Sequence, residues 1–367
     1  MVVRMQNKIK NIVISIGFIV ILMTILIANI LIPDEKISIS ERRKLAQFPE
    51  ITLKNILKGN TSKEFEKYAI DQFVGRDIFR SIKSVFNMEI YKQKDNNKLF
   101  IKDETIYKME YPLNEVAVEK TAKKIAEIKE KYLQGMTVYY SIIPEKNYYL
   151  QDDHLKMDYK KIQEIMQRNI TDMTYINIFS ELTTEDYYRT DTHWKQENIR
   201  KVVEKLEKEM NLKDTSKIEY IEKELGDFYG VYYAQMGLKI KPDKIKYLTN
   251  DTIENCTTYN YETKQIGKVY DLEKYKNSPD KYNIFVSGGT PLITIDNPNA
   301  TTDKKLLLFR DSFGSSLAPL LIENYKKITL IDIRYIDSSL LKLYINFNNQ
   351  DVLFIYSGLV LNQNILK

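Results

Sequence analysis

His193 is one of only two histidines among 367 residues, and it stands in Thr190-Asp191-Thr192-His193-Trp194, a carboxylate two residues before it and the chain's one tryptophan directly after it. An imidazole with an acid close by can be oriented, take a proton and hold the resulting charge. Such a base needs a nucleophile. The stretch Lys305–Tyr325, KLLLFRDSFGSSLAPLLIENY, offers one in Ser312. It reads as a buried strand (Leu306–Phe309), a polar junction (Arg310, Asp311, Ser312), then a helix with Phe313, Leu317, Leu320 and Leu321 at helical spacing. A serine opening a helix at a strand's carboxyl end has an exposed hydroxyl and a backbone N–H free to face an oxyanion. Ser312, His193 and Asp191 therefore form a candidate triad: nucleophile, base and orienting acid. Two plainer readings stand beside it, Ser312 as a helix cap and His193 as a structural histidine next to Trp194. The second histidine, His154, follows Asp152 and Asp153 in a polar stretch with no other sign of a site.

Metal chemistry finds little support. Two histidines without shared helical spacing and a single cysteine, Cys256, make no zinc pattern, although Asp191 and His193 could be two ligands of a mixed site. No metal and no cofactor is expected. Cys256 has no partner for an internal disulfide and reads as an ordinary buried thiol.

The elements that must bring these residues together follow an α/β pattern. From Asn114, Val118, Ala122, Ile125, Ile128 and Tyr132 mark one helix face, followed by a strand at 137–143, a helix at 159–170 and a strand at 174–178. The polar loop 180–192 then delivers Asp191 and His193 ahead of a helix carrying Ile199, Val202, Val203, Leu206 and Met210. From Lys305 the order is strand, helix, strand (327–333), helix (338–347), strand (352–356), a βαβαβ run. In a parallel sheet the loops at the strands' carboxyl ends share one rim, so Ser312 and His193 can meet there. Between these halves, residues 213–283 break the alternation and read as a β-rich, tyrosine-rich insertion near the site. Its densest cluster is FYGVYY, with Tyr229, Tyr232 and Tyr233 as candidates for stacking on sugar rings, or simply for packing. A strand at 282–286 leads into Ser287-Gly288-Gly289-Thr290-Pro291, where Gly288 or Gly289 is a candidate oxyanion donor, a plain turn being the alternative. Arg310, Arg334 and Trp194 complete the candidate substrate contacts, with structural ion pairs as the competing role for both arginines.

The amino end sets the compartment. Residues 1–10 carry Arg4, Lys8 and Lys10 and no acid, and 11–32 is an apolar run long enough to cross a bilayer, closed by Pro33 and Asp34. It is longer than the core of a cleavable signal peptide and lacks a small-residue cleavage site. A retained anchor is expected, amino end in the cytoplasm and body outside. Beyond residue 32 the chain has 52 basic residues against 50 acidic ones, a balance that argues against nucleic acid as a partner. Residues 34–49 read as a charged stalk, Thr61 and Glu64 as a capping box starting a helix near Ser62, and DQFVGRD (71–77) as a loop pinned by an Arg76 ion pair. A helix is expected over 78–91 and a hairpin over 99–109.

The set DQFVGRD, TDTHW, SGGTPL and LFRDSFGSSLAPLL, in that order, resembles the DHHW protein family, related to alginate O-acetyltransferase proteins with an SGNH-hydrolase-like domain. In the alginate relatives an Asp-x-His motif precedes the nucleophilic serine. Asp191 and His193 occupy that motif here and Ser312 the serine position, a permuted order relative to standard SGNH hydrolases. The asparagine and glycine that serve those hydrolases as oxyanion donors have no clear counterpart. The resemblance implies an SGNH-hydrolase-like (flavodoxin-like) α/β fold, a parallel sheet flanked by helices. It also implies acetyl transfer to a hydroxyl of an extracellular polysaccharide, a multi-span membrane O-acyltransferase supplying the acetyl group.

The expected organisation is an anchor at 1–35, a stalk with a helical and hairpin segment at 36–113, core at 114–212, the insertion at 213–283, and the second part of the core at 284–367. Three activities remain open: an O-acyltransferase, an esterase that passes the acyl group to water, and a non-catalytic glycan-binding subunit of an acetylation complex.

Overall fold

The computed structural model describes residues 2–38, 41, 43–151, 154–238 and 240–367; Asp152 and Asp153 lie outside the described residues. The chain divides into two compact units, 1–94 and 95–367.

In the smaller unit a helix runs Val2–Leu31, and its 25-residue stretch Asn7–Leu31 is long and apolar enough to cross a membrane. At 1.5 Å per residue this exceeds the roughly 30 Å of a bilayer core. Helices Asn60–Asp71 and Arg76–Val85 follow, the second extended by a π-helical turn, Phe86–Ile90. The Thr61 capping box does not form. The helix starts at Asn60 behind Gly59, which takes a left-handed φ of 68° and caps without a side-chain hydrogen bond. Arg76 pairs with Glu41 at 2.7 Å, so the loop of DQFVGRD is pinned as expected.

The larger unit is built on an eight-stranded sheet. Its strands are β1 (Val138–Ile143), β2 (Thr174–Tyr175), β3 (Thr257–Asn260), β4 (Gln265–Gly267), β5 (Leu292–Asp296), β6 (Lys305–Arg310), β7 (Lys327–Ile331) and β8 (Asp351–Ser357), in spatial order β4-β3-β5-β7-β6-β8-β1-β2. The run β7-β6-β8-β1-β2 is parallel. β5, β3 and β4 pair antiparallel at the other edge. Strands β1, β6 and β8 are buried almost throughout, because both faces of the sheet are covered. One face carries Leu306, Leu308, Leu353 and Ile355 against helices Arg200–Glu209 and Phe313–Leu321. The other carries Leu307, Phe309, Val352 and Phe354 against helices Glu115–Tyr132 and Tyr159–Asn169. Alternation along each strand splits its side chains between these two cores. This is the doubly wound α/β architecture.

Three expectations change. Residues 282–286 are not a strand: Lys281–Ile284 is a 3₁₀ turn capped by the Asp280 carboxylate, and Val286 and Ser287 then adopt left-handed φ values of 48° and 57°, incompatible with extended pairing. The crossover before β8 is a 3₁₀ helix, Ser338–Leu343, rather than a full α-helix. The tyrosine-rich segment is not wholly separate from the sheet. Its strands Ile221–Phe228 and Asp243–Thr249 form a two-stranded ribbon, while β3 and β4 add to the sheet edge through β5, a strand not expected from the residue pattern. The hairpin Leu99–Lys102 with Thr105–Lys108 clusters with the larger unit.

Candidate active site

Strands β6, β8 and β1 end on one rim, and the turn after β6 is tied to its neighbour. Asp311 accepts the Phe313 N–H at 3.0 Å with one carboxylate oxygen and the Ser357 N–H, at the end of β8, at 2.7 Å with the other. Asp311 thus does the helix-capping work. Ser312 has φ −62° and ψ −26° and makes no side-chain cap bond, so its hydroxyl is available for chemistry. Gly314 permits the tight strand-to-helix turn, since a Cβ there would lie 2.5 Å from Arg310 Cβ.

Ser312 Oγ lies 2.7 Å from His193 Nε2, and His193 Nδ1 lies 2.6 Å from Asp191 Oδ1. Asp191 is completely buried and also accepts the His193 N–H at 3.1 Å and the Val231 N–H at 2.7 Å. With Nδ1–H donated to the carboxylate, Nε2 presents a lone pair to the serine, the tautomer a general base requires. The imidazole lies flat on Tyr282, ring centroids 3.9 Å apart and planes at 11°. The Tyr282 hydroxyl meets Ser316 Oγ at 2.7 Å, and burial pushes its phenol well above the usual range, so a neutral π-face sits under the imidazole and could stabilise a positive charge on it.

The loop carrying the acid and base is held from three sides. The buried Asp243 accepts the Arg189 and Thr190 N–H groups at 2.9 and 2.8 Å and the Thr190 hydroxyl at 2.6 Å. Lys146, buried just past β1, donates to the carbonyls of Tyr188, Arg189 and Asp191 at 2.7, 3.1 and 2.8 Å. Burial pushes its ammonium down to about 7, against the pull of Asp191 and Asp243. Gly230 lets the Val231 N–H reach the acid, because a Cβ there would lie 2.2 Å from the Thr190 carbonyl oxygen. Sequence reasoning missed Lys146, Tyr282, Asp243 and Gly230. Only Lys146, a charged residue immediately after a strand on the site's rim, carried a signal.

The remaining candidates divide. Gly288 at φ 76° spends its N–H on the Phe285 carbonyl, whereas the N–H groups of Gly289 and Ser312 find no acceptor among the described residues. Arg310 is fully buried and donates to the carbonyl oxygens of Gly288 (3.1 Å) and Asp311 (3.4 Å), with Asp332 at 3.5 Å; it is a strut, not a substrate contact. Trp194 is also fully buried, its indole N–H on Ser316 Oγ at 2.8 Å, and Tyr232 packs over Lys146. These three are corrected from candidate substrate contacts to interior roles, because the packing around the candidate triad consumes them. Arg334 forms a bidentate pair with Asp332 at 2.8 and 2.6 Å and lies over the exposed Tyr335 ring. Tyr229 is exposed and tilted against Tyr233, centroids 4.7 Å apart, on the segment whose next residues contact Thr190 and Asp191. His154 stacks on Phe100 instead, and no cluster of three or more metal-ligating side chains exists among the described residues.

A comparison with curated proteins gives no match. Among solved structures, a DHHW family protein from Eubacterium siraeum is similar over 74% of this chain and 97% of its own, at 18% identity and a TM-score of 0.57. Bacillus cereus PatB1 with a sulfonyl adduct is similar over 73% and 97%, at 17% identity and a TM-score of 0.58. The O-acetyltransferase domain of Pseudomonas putida AlgJ matches over 72% and 92%, at 11% identity and a TM-score of 0.46. The first two likenesses share the α/β fold described above. The family model for DHHW protein matches residues 146–331, from Lys146 beneath the site through TDTHW and RDSFG to the end of β7, and the chain belongs to that family.

Proposed function

We propose that this chain is a membrane-anchored O-acyltransferase that works outside the cytoplasm, moving an acetyl group onto a polysaccharide hydroxyl through Ser312, His193 and Asp191. The observation that carries this reading is the unbroken line of contacts from Ser312 Oγ to His193 Nε2 and from His193 Nδ1 to Asp191, with the serine hydroxyl free of capping. PatB1, which shares the fold, is described with a sulfonyl adduct; the proposal extends covalent adduct formation to this chain and takes the acyl group from the family resemblance.

As Ser312 Oγ bonds to the carbonyl carbon of an acyl donor, His193 Nε2 takes the serine proton and the carbonyl π pair moves onto oxygen. The Ser312 N–H is one donor for that oxyanion and Gly289 N–H the candidate second. Collapse breaks the bond to the donor's leaving oxygen, which receives the proton from His193, and leaves acyl-Ser312. An acceptor hydroxyl then gives its proton to His193 and attacks; expulsion of Ser312 Oγ restores the hydroxyl with that proton. Asp191 orients the ring and balances its charge throughout. The donor-side partner is a multi-span acyltransferase and the acceptor a cell-surface or secreted polysaccharide, with the exposed Tyr229 and the half-buried Tyr233 beside it the rings for a sugar face. The amino-terminal helix serves as the anchor.

The test is mass spectrometry of the detergent-solubilised full chain after an activated acetyl ester or a sulfonyl fluoride. A single adduct on Ser312, lost in Ser312→Ala and His193→Ala, is expected. Equal labelling of Ser312→Ala would overturn the triad. Free acetate without acetylated glycan would assign an esterase, and polymer acetylation that survives His193→Ala in cells would assign a binding subunit.

A further inference from the structure

Helix Arg76–Val85 with its π-helical extension to Ile90 is amphipathic in the reverse sense to a helix of a water-soluble domain. At 100° per residue, Ile78, Phe79, Ile82, Val85 and Phe86 share one face. All five are exposed, Ile78 at 65% and Phe79 at 54%. The opposite face turns polar groups inward: Arg76 and Arg80 reach Glu41 at 2.7 and 3.3 Å, and the buried Ser84 donates to the Arg80 carbonyl. A helix that hides its guanidinium groups and presents isoleucine and phenylalanine outward is matched to an apolar surrounding rather than to water.

The chain itself says where that surrounding is. The backbone N–H of Val74 donates to the side-chain oxygen of Asn29 at 2.8 Å, and Asn29 lies in the last turn of the apolar helix Asn7–Leu31. Gln72 fixes the same loop by accepting the Glu35 N–H at 3.0 Å and donating to the Glu35 and Ala46 carbonyls at 2.9 Å each. Asp71 closes it with two hydrogen bonds to Arg43. DQFVGRD therefore fastens the start of the amphipathic helix to the end of the membrane helix. Polar groups satisfied internally are what the low dielectric at a bilayer's boundary demands.

We infer that residues 76–90 lie in the outer-leaflet boundary of the lipid bilayer, their apolar face seated between headgroups and acyl chains, as a second membrane contact beside the anchor. The inference rests on the anchoring role proposed for the first helix and concerns no step of catalysis. DQFVGRD is then the clamp that turns a single-span anchor into a fixed platform at the membrane surface.

The experiment uses full-length protein in vesicles of phosphatidylcholine and phosphatidylglycerol, with acyl chains unmodified or brominated near the headgroup. Phe79→Trp and Ile82→Trp each add one fluorophore at an exposed site, over the constant emission of the buried Trp194. The emission each adds is expected to fall at least about twofold in brominated vesicles, since the apolar face sits at that depth. Protein that floats with the vesicles but whose added emission is unchanged by bromine would overturn the interfacial seat and leave the anchor standing. That result would assign the face to a protein partner. Failure to float would bring down the anchor and this inference together.

Discussion

Lys146 Nζ lies 2.8 Å from the carbonyl oxygen of Asp191, and the same ammonium also bridges Tyr188 and Arg189, the two residues that lead into the TDTHW loop. A buried cation spent on three backbone carbonyls is a positioning device, because each carbonyl left without a donor costs about 1–3 kcal/mol. Lys146→Met keeps the length and removes every donor. The expected result is a lower Tm together with a fall in kcat of at least about tenfold and a smaller change in KM, since the alignment of acid and base is what the lysine maintains. Steady-state kinetics on an activated acetyl ester, with thermal unfolding in parallel, checks it.

Gly230 is a second control on the acid. With an alanine Cβ 2.2 Å from the Thr190 carbonyl oxygen and 2.4 Å from Asp191 Cβ, backbone must move, and the hydrogen bond from the Val231 N–H to Asp191 is the first to break. Gly230→Ala is expected to cost at least about tenfold in kcat on the same ester. Tyr229→Ala, at an exposed neighbour, should leave turnover of a small ester within about twofold while weakening binding of a glycan.

Arg310 braces the strained turn at Val286, Ser287 and Gly288 through the Gly288 carbonyl. Arg310→Lys keeps a charge near Asp332 but not the fork that spans to Gly288. Since Asp332 retains two bonds from Arg334, the stability loss should stay below the roughly 3–5 kcal/mol of a fully broken buried pair. The kcat loss should exceed the KM change if Gly289 serves the oxyanion. Unfolding curves and kinetics separate the two effects.

Glu145 supplies a pH signature. Burial, with Glu110 and Asp311 adding to it, pushes its carboxyl up to about 8, and one of its oxygens is buried without a hydrogen-bond partner. The folded chain therefore holds a proton that the unfolded chain, at its ordinary 4.5, has given up. Stability contributed by this group is full below about pH 4.5 and is lost as pH rises to about 8. Glu145→Gln, which mimics the protonated form, should be near neutral at acid pH and stabilising by at least about 1 kcal/mol above pH 8. Denaturant unfolding across that range decides it, and a parallel pH slope for both proteins would rule it out.

Much of this was legible in the residues. With two histidines, one near an acid, and a serine between a buried apolar run and a helix, the candidate triad could be named before any fold was known, because the local pattern around each residue is short. The alternation of strand and helix after Lys305 was equally plain, since buried parallel strands are nearly all apolar. What misled were local signals with a stronger competitor. The run 282–286 has strand-like composition, yet Asp280 caps a 3₁₀ turn and the chain bends into left-handed conformations. Trp194 and Arg310, candidate substrate contacts beside the candidate triad, are interior props.

The sequence by itself determined the identity of the candidate nucleophile, base and acid, the apolar segment at the amino end and the α/β character of the core, because periodicity and rarity of residue types are written within a few positions. Tertiary structure alone decided that Ser312 and His193, 119 positions apart, meet at 2.7 Å, that Lys146 and Asp243 grip the loop between them, and which arginine is buried. Those outcomes depend on strand order and on which rim each loop leaves. They are set by the packing of the whole sheet rather than by any stretch of chain.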